Sequence, residues 1–328
     1  MANYLLRRLS YAVVMMILVS FVSFVIMSLP PGDYLTQKIE QLRARGDRSA
    51  EQQVAQLRAR YGLDRPFMER YVNWAGNFIT GDFGQSFEFD RPVSEILGAR
   101  LGYTVVLALS TTLITWFLAI PLGVLSAVKQ YTLVDQIISV ISFIGLGMPG
   151  FLLALLILYF AIIVFNLDVV GLFSPEFRDA PWDSAKFLDL LGHLWLPSLI
   201  SAVTGIGGLV RIMRGNLLET LGQPFVEAAR ARGLKARSVT WKHAVRIAIN
   251  PLITILGSDV FPAIIVGGSL VSIVLNLPTI GPIFVDSLRK LDMFLAGTCI
   301  VFLTMMLLIG NLVSDLLLAW VDPRIRLE

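Results

Sequence analysis

The chain alternates long uncharged runs with polar segments, and the run lengths predict its elements. Residues 9–29, 103–128, 136–167 and 293–314 contain no Asp, Glu, Lys or Arg. Each run exceeds the ~18 residues that mark a membrane-crossing helix. The first is 21 residues long and follows Arg7 and Arg8. It is longer than the apolar part of a secretory signal, and no small-x-small cleavage site precedes Pro30, so it reads as an uncleaved span. The second span lies within Tyr103–Val128, with Pro121 near one end. The run 136–167 holds 32 residues. As a straight helix it would measure ~48 Å against a ~30 Å hydrocarbon core. Gly145 to Gly150 (GLGMPG) offers a place to bend. We read one long bent helix ending near Asn166.

A fourth span fits Leu190–Val210, between Asp189 and Arg211. From Ile247 to Val285 the only charge is Asp259, and a fifth span is placed at 252–275. The following LNLPTIGPIFV carries Pro278, Gly281 and Pro282 and reads as interfacial or re-entrant. The sixth span is Met293–Ser314, extending towards Trp320. The expected fold is an all-α polytopic membrane protein of six transmembrane helices, since helices satisfy every backbone group in lipid. Segment 34–60 is rich in Gln, Ala, Arg, Glu and Leu. Leu35, Ile39 and Leu42, then Val54, Leu57 and the adjoining Tyr61, fall at helical spacing. It predicts a small helical insert, either a cap over the membrane domain or a docking surface for an extracytoplasmic protein.

Composition agrees with the run pattern. Charged residues make up 16% of the chain, against about 25% in soluble domains. Hydrophobic residues make up 55%, and mean hydropathy is +0.72. A soluble enzyme, a nucleic-acid-binding domain, a disordered chain and a disulfide-stapled secreted domain are excluded. Cys299 is the single cysteine. The net charge of +3 is localised. Segment 211–250 holds eight basic and two acidic residues, whereas 31–102 is neutral and 166–189 has five acidic and two basic residues. The positive-inside rule then puts both termini and 211–250 in the cytoplasm and 31–102 in the periplasm. Residues 1–30 are the N-terminus and first span, 31–102 the periplasmic segment, 103–320 the transmembrane core, and 321–328 the cytoplasmic tail.

Chemistry-bearing motifs are sparse. No Lys follows a Gly, so no phosphate-binding loop of the Walker type exists, and HExxH, CxxC and GxSxG are absent. His193 and His243 are the only histidines. No catalytic residue, cofactor or metal site is expected. TGIGGLV at 204–210, together with Gly267 and Gly268, reads as helix-packing positions. Asp259 lies inside a predicted span, where a carboxylate costs about 2.5–3.5 kcal/mol on insertion scales. It lines a solute path or pairs with a basic residue such as Arg211 or Arg246.

The richest polar segment is 211–251. Pro224 suits the first turn of a helix, and residues 225–232 favour helix through Ala228, Ala229 and Ala231. Gly233 punctuates it, and a second basic helix is predicted over 236–248. The first helix is expected to present Phe225, Val226 and Ala229 on one side, with Glu227 and Arg230 alongside. Eight residues are marginal as an isolated helix, so docking on another protein would stabilise it.

EAARARG at 227–233 resembles the EAA-x3-G motif in the cytoplasmic loop of ABC-importer permeases. YGLDRPFMERY at 61–71, GDFGQSFEFDRPVSEIL at 81–97 and the ending DPRIRLE are similar to segments of dipeptide and oligopeptide permeases, so the resemblance spans essentially the whole chain. It departs at VSIVLNLPTIGP, where Val271 and Thr279 stand at the family's Glu and Gly, and in the longer 34–60 insert. The resemblance implies a type I ABC-importer permease fold. It also implies that Phe225, Glu227, Ala228, Ala229, Arg230 and Gly233 form a coupling helix docking on an ATPase subunit. The implied partners are a second permease subunit (a paralogue), two cytoplasmic ATP-binding subunits, a periplasmic or lipid-anchored solute-binding protein and membrane lipid, with no nucleic acid. The implied cargo is oligopeptides, or oligosaccharides as an alternative. The reading from another class is a stand-alone secondary transporter or channel, which would need charged or polar residues in several spans.

Overall fold

The computed structural model describes residues 2–28, 64–166, 170–255 and 261–321. Among them the structure is helical, and the sole β feature is an isolated bridge between Gln85 and Pro92. The helices are α1 (Ala2–Ser28), α2 (Phe67–Ile79), α3 (Val93–Val128), α4 (Leu133–Gly147) and α5 (Gly150–Tyr159), which runs on into a π turn at Phe160–Val164. Then come α6 (Ser184–Leu221), α7 (Pro224–Ala231), α8 (Ala236–Ser238), a second π turn (Val239–Ala244), α9 (Val245–Ala248) and α10 (Asn250–Ile255). The last are α11 (Phe261–Val274), α12 (Ile280–Arg289) and α13 (Met293–Val321). The chain is an all-α membrane protein.

Four described helices are long and apolar enough to cross a membrane: Leu6–Ile26, Val93–Val128, Ser184–Leu221 and Met293–Leu318. The expected limits of two spans are corrected. The second starts at Val93, and the fourth runs from Ser184 to Leu221. Arg211 and Arg214 therefore sit on a continuous helix and not in a loop. The expected single bent helix is in fact two arms, Leu133–Gly147 and Gly150–Val164, meeting at 102°. The break falls at Met148 and Pro149, where proline cannot continue the hydrogen-bond ladder. Each 15-residue arm is only ~22 Å long. The fifth expected span is represented by α10 and α11. Asp259 between them, the 34–60 insert and the tail 322–328 lie outside the described residues.

The chain divides into two compact units. The first comprises Tyr103–Gly281 with Leu307 onwards. Its centre is the packing of α4 on α6. The two backbones approach where Gly207 faces the Ser142 carbonyl, so closely that a Cβ at Gly207 would collide with that oxygen. Gly205 similarly leaves room for Thr115, whose Cγ2 would lie 3.2 Å from an added Cβ. The packing role read from TGIGGLV holds at these two positions. It does not extend to Gly268, where an added Cβ meets nothing within 4 Å. The acidic segment before α6 is ordered by its own carboxylates. Asp189 accepts from the Ser174 N–H (2.9 Å) and hydroxyl (2.6 Å), and Asp183 caps α6 at the Lys186 N–H (2.8 Å). Buried Lys186 donates to the Ala180 carbonyl (2.5 Å) and lies over the Phe173 and Trp182 rings.

The second unit comprises Ala2–Gly102 with Pro282–Met306. An aromatic cluster joins α1 to α2: Phe24 and Trp74 are buried, with Phe67 and Tyr71 packed edge-on against Phe24. Loop 81–92 is fixed to the start of α13. Buried Asp292 accepts from the Ser86 hydroxyl, from the Glu88 N–H (3.2 Å) and from the Leu295 N–H (3.3 Å). Burial raises the Asp292 pKa, against the opposing pull of these donors. Lys290 adds an ion pair to Glu88 at 3.0 Å.

Candidate functional site

The short helix expected over 225–232 forms as α7, and its ends follow from local chemistry. Pro224 takes the first position of α7, where its missing N–H costs nothing. The Gln223 carbonyl accepts from the N–H groups of Val226 (2.9 Å) and Glu227 (3.3 Å). At the other end Gly233 has φ +77°, in the left-handed region that favours glycine. Its N–H donates to the Arg230 carbonyl (2.9 Å), and the Leu234 N–H reaches back to Ala229 (3.4 Å). This pair of bonds is a Schellman motif, which satisfies carbonyls that the helix end would otherwise strand. A Cβ at Gly233 would meet nothing within 4 Å, so the requirement for glycine is conformational and not one of space.

The faces of α7 differ from expectation in one respect. Val226 is 0% exposed and Ala229 is buried, one turn apart, against the chain itself. Phe225, expected beside them, is 40% exposed and points away. Consecutive helical residues are about 100° apart, and the structure spends its inward position on Val226. Glu227, Ala228, Arg230 and Gly233 are also exposed. Among the described residues neither Glu227 nor Arg230 has an ion-pair partner. The helix is thus anchored by two small apolar residues and a backbone turn, with an outward face of Phe225, Glu227 and Ala228 left uncovered.

The second predicted helix, 236–248, is helical but holds a π turn at Val239–Ala244. That turn adds a residue to one helical circuit. It sets Val239, Ala244 and Ala248 on one buried row at spacings of five and four. Arg211 and Arg246, named as possible partners of Asp259, are exposed.

One polar junction escaped the sequence reading. Arg214 on α6 grips Asp135 near the start of α4 through Nε and Nη2, both at 2.8 Å. The Asp135 carboxylate also accepts from the Ser126 hydroxyl and the Tyr131 N–H (2.9 Å). Asp135 is 4% exposed. A two-pronged guanidinium–carboxylate contact fixes both distance and orientation. It ties α4 to the part of α6 that leads directly into α7. The available signal was positional: Asp135 abuts an uncharged run at its start, and Arg214 lies one turn beyond the end of another.

A family model described as binding-protein-dependent transport system inner membrane component matches residues 119–327. The corresponding N-terminal model matches residues 1–108. The chain belongs to this family. Its members are permease subunits of ABC transporters, and the chain is a multi-pass membrane permease. Among its relatives is the oligopeptide transport system permease protein AppB of Bacillus subtilis, 35% identical over 99% of this chain and 100% of the relative. A probable peptide ABC transporter permease protein of Sinorhizobium fredii is 32% identical over the same shares. The oligopeptide transport system permease protein OppB of Mycobacterium bovis is 30% identical over the full length of both chains. The permease family model covers the whole of α7 and its Schellman turn.

Proposed function

We propose that this permease is one of two membrane subunits of an ATP-driven importer for oligopeptides or solutes of similar size. The observation that carries the reading is α7, a short helix held inward by Val226 and Ala229 while Phe225, Glu227 and Ala228 face outward uncovered. Two cytoplasmic ATPase subunits would close on ATP and carry α7 with them. Motion would pass along α6, which the Asp135–Arg214 contact joins to α4. The path would then open alternately to a solute-binding protein outside and to the cytoplasm. The peptide cargo is supported by the names of relatives aligned over nearly their whole length, with oligosaccharides as the alternative cargo. Pairing with a paralogous permease, six spans and cytoplasmic termini belong to the same reading. The basic balance of 211–250 supports the orientation.

Two experiments test it. In a background lacking Cys299, Gln52→Cys should react with a membrane-impermeant thiol reagent in intact cells and Ser238→Cys should not. The reverse pattern overturns the orientation. Cysteines at Phe225 or Ala228 should cross-link to a co-expressed ATPase subunit, and ATP hydrolysis should appear only in the assembled complex. Hydrolysis by the purified lone chain would sink the reading.

A further inference from the structure

From the outward face of the stretch after α7, we infer that residues 241–247 form an interfacial helix that binds anionic phospholipid headgroups. Val239, Ala244, Val245 and Ala248 are buried beneath this face. Trp241 and Ile247 stand 45% and 47% exposed on it, and Lys242, His243 and Arg246 are exposed among them. The π turn spaces Trp241 from Arg246 and Lys242 from Ile247 by five residues each, so ring, chain and cations share the outward side. No carboxylate occurs between Leu234 and Asn250. An apolar body with cations alongside, and Trp at the boundary, is the composition that partitions to a bilayer surface.

Position in the fold supports the same occupant. Asn216 on α6 donates from Nδ2 to the Ala248 carbonyl at 3.3 Å. Asn216 lies five residues beyond Arg211, where the apolar stretch of α6 ends. That is ~7 Å of helix rise, and the headgroup layer on each side of the hydrocarbon core is ~5–8 Å thick. The end of this face therefore lies at headgroup depth. Beyond Arg246 the chain is uncharged as far as Asp259, as expected of a segment entering lipid. An acidic protein surface would match the cations but leave Trp241 and Ile247 without an apolar partner. The inference is independent of the ATPase role given to α7.

The test uses the full chain, purified as it assembles, in nanodiscs of phosphatidylcholine with or without phosphatidylglycerol. Trp241 emission, obtained by difference against Trp241→Phe, should be quenched by lipid brominated near the headgroup and little by aqueous iodide. Retention of phosphatidylglycerol, read by native mass spectrometry, should fall about fivefold for each cation removed in Lys242→Gln and Arg246→Gln. The charge-keeping pair Lys242→Arg with Arg246→Lys should retain it. Quenching of Trp241 by iodide alone would overturn the inference and assign the face to water or protein. Equal phosphatidylglycerol retention by the parent and the double Gln variant would also overturn it.

Discussion

Two loops, 81–92 and 224–246, each carry one of the motifs by which the chain resembles its family, and they are held in opposite ways. In loop 81–92 the polar groups turn inward. The Ser86 hydroxyl and the Glu88 N–H both end on the buried carboxylate of Asp292, which also caps α13. In loop 224–246 little is held inward beyond Val226, Ala229 and the row under the π turn, and the charged side chains face outward. A buried polar network is costly to disturb, because each lost partner strands a donor or acceptor. A helix seated on small apolar residues leaves its other face for a partner. The first motif is therefore tied inward as structure and the second keeps an uncovered outer face, although both read as polar loops in sequence.

The largest effect is expected where that contrast is sharpest. Asp292→Ala strands buried donors and removes a cap, and should destabilise the protein by about 3 kcal/mol, with Asp292→Asn milder. Thermal unfolding in detergent, with proteolysis at loop 81–92, measures this; parent-like stability would break the comparison. Next comes Gly233→Val, which forces a branched residue to φ +77° at about 1 kcal/mol or more. It should leave membrane insertion and the binding protein's solute affinity unchanged, while import and stimulated ATP hydrolysis fall in parallel. Gly233→Asn should be less harmful, since asparagine tolerates that region. Normal transport by Gly233→Val combined with Glu227→Ala, at normal expression, refutes the coupling role of α7.

The neighbours Val226 and Phe225 sharpen the contrast within one turn. Val226→Ala should cost about 2 kcal/mol of stability. Phe225→Ala should leave the melting temperature unchanged and weaken assembly with the ATPase by about fivefold or more. A stability loss in Phe225→Ala without an assembly defect reverses the assignment of faces. The smallest effect is expected at Lys290. Its hydrogen bond to Glu88 raises its pKa, so the charged form is favoured by folding. This contribution is full below the ordinary lysine pKa and is lost as pH rises through the raised value. Both partners are partly exposed, which limits the gain to a few tenths of a kcal/mol. Melting curves of the parent and Lys290→Gln should converge in the alkaline range.

Much of the fold was legible because membrane helices announce themselves locally. Uncharged runs marked α1, α3 and α13, and Pro224 and Gly233 marked α7 to within a residue at each end. Helix limits outside the apolar runs were less legible. The ten residues before Tyr103 and those after Val210 are polar enough to read as loop, yet they continue their helices. The 102° break between α4 and α5 was visible as a bend at Met148–Pro149 but not as an angle. Proline identifies where a helix can fail, and the packing of neighbours sets the direction taken afterwards.

What the sequence determined by itself was whatever depends on neighbours along the chain. That includes the membrane character, the helices, the proline start and glycine stop of α7, and the basic balance of 211–250. Tertiary structure alone decided which of Phe225 and Val226 turns inward, because adjacent apolar residues give equal local preference to either face. It also decided the partner of Arg214. Asp135 is 79 positions away in sequence, and no local pattern links the two residues. They meet because Gly207 lets α6 close against Ser142 of α4, which sets Arg214 and Asp135 within bonding reach. A contact of this kind depends on the backbone approach before it depends on charge.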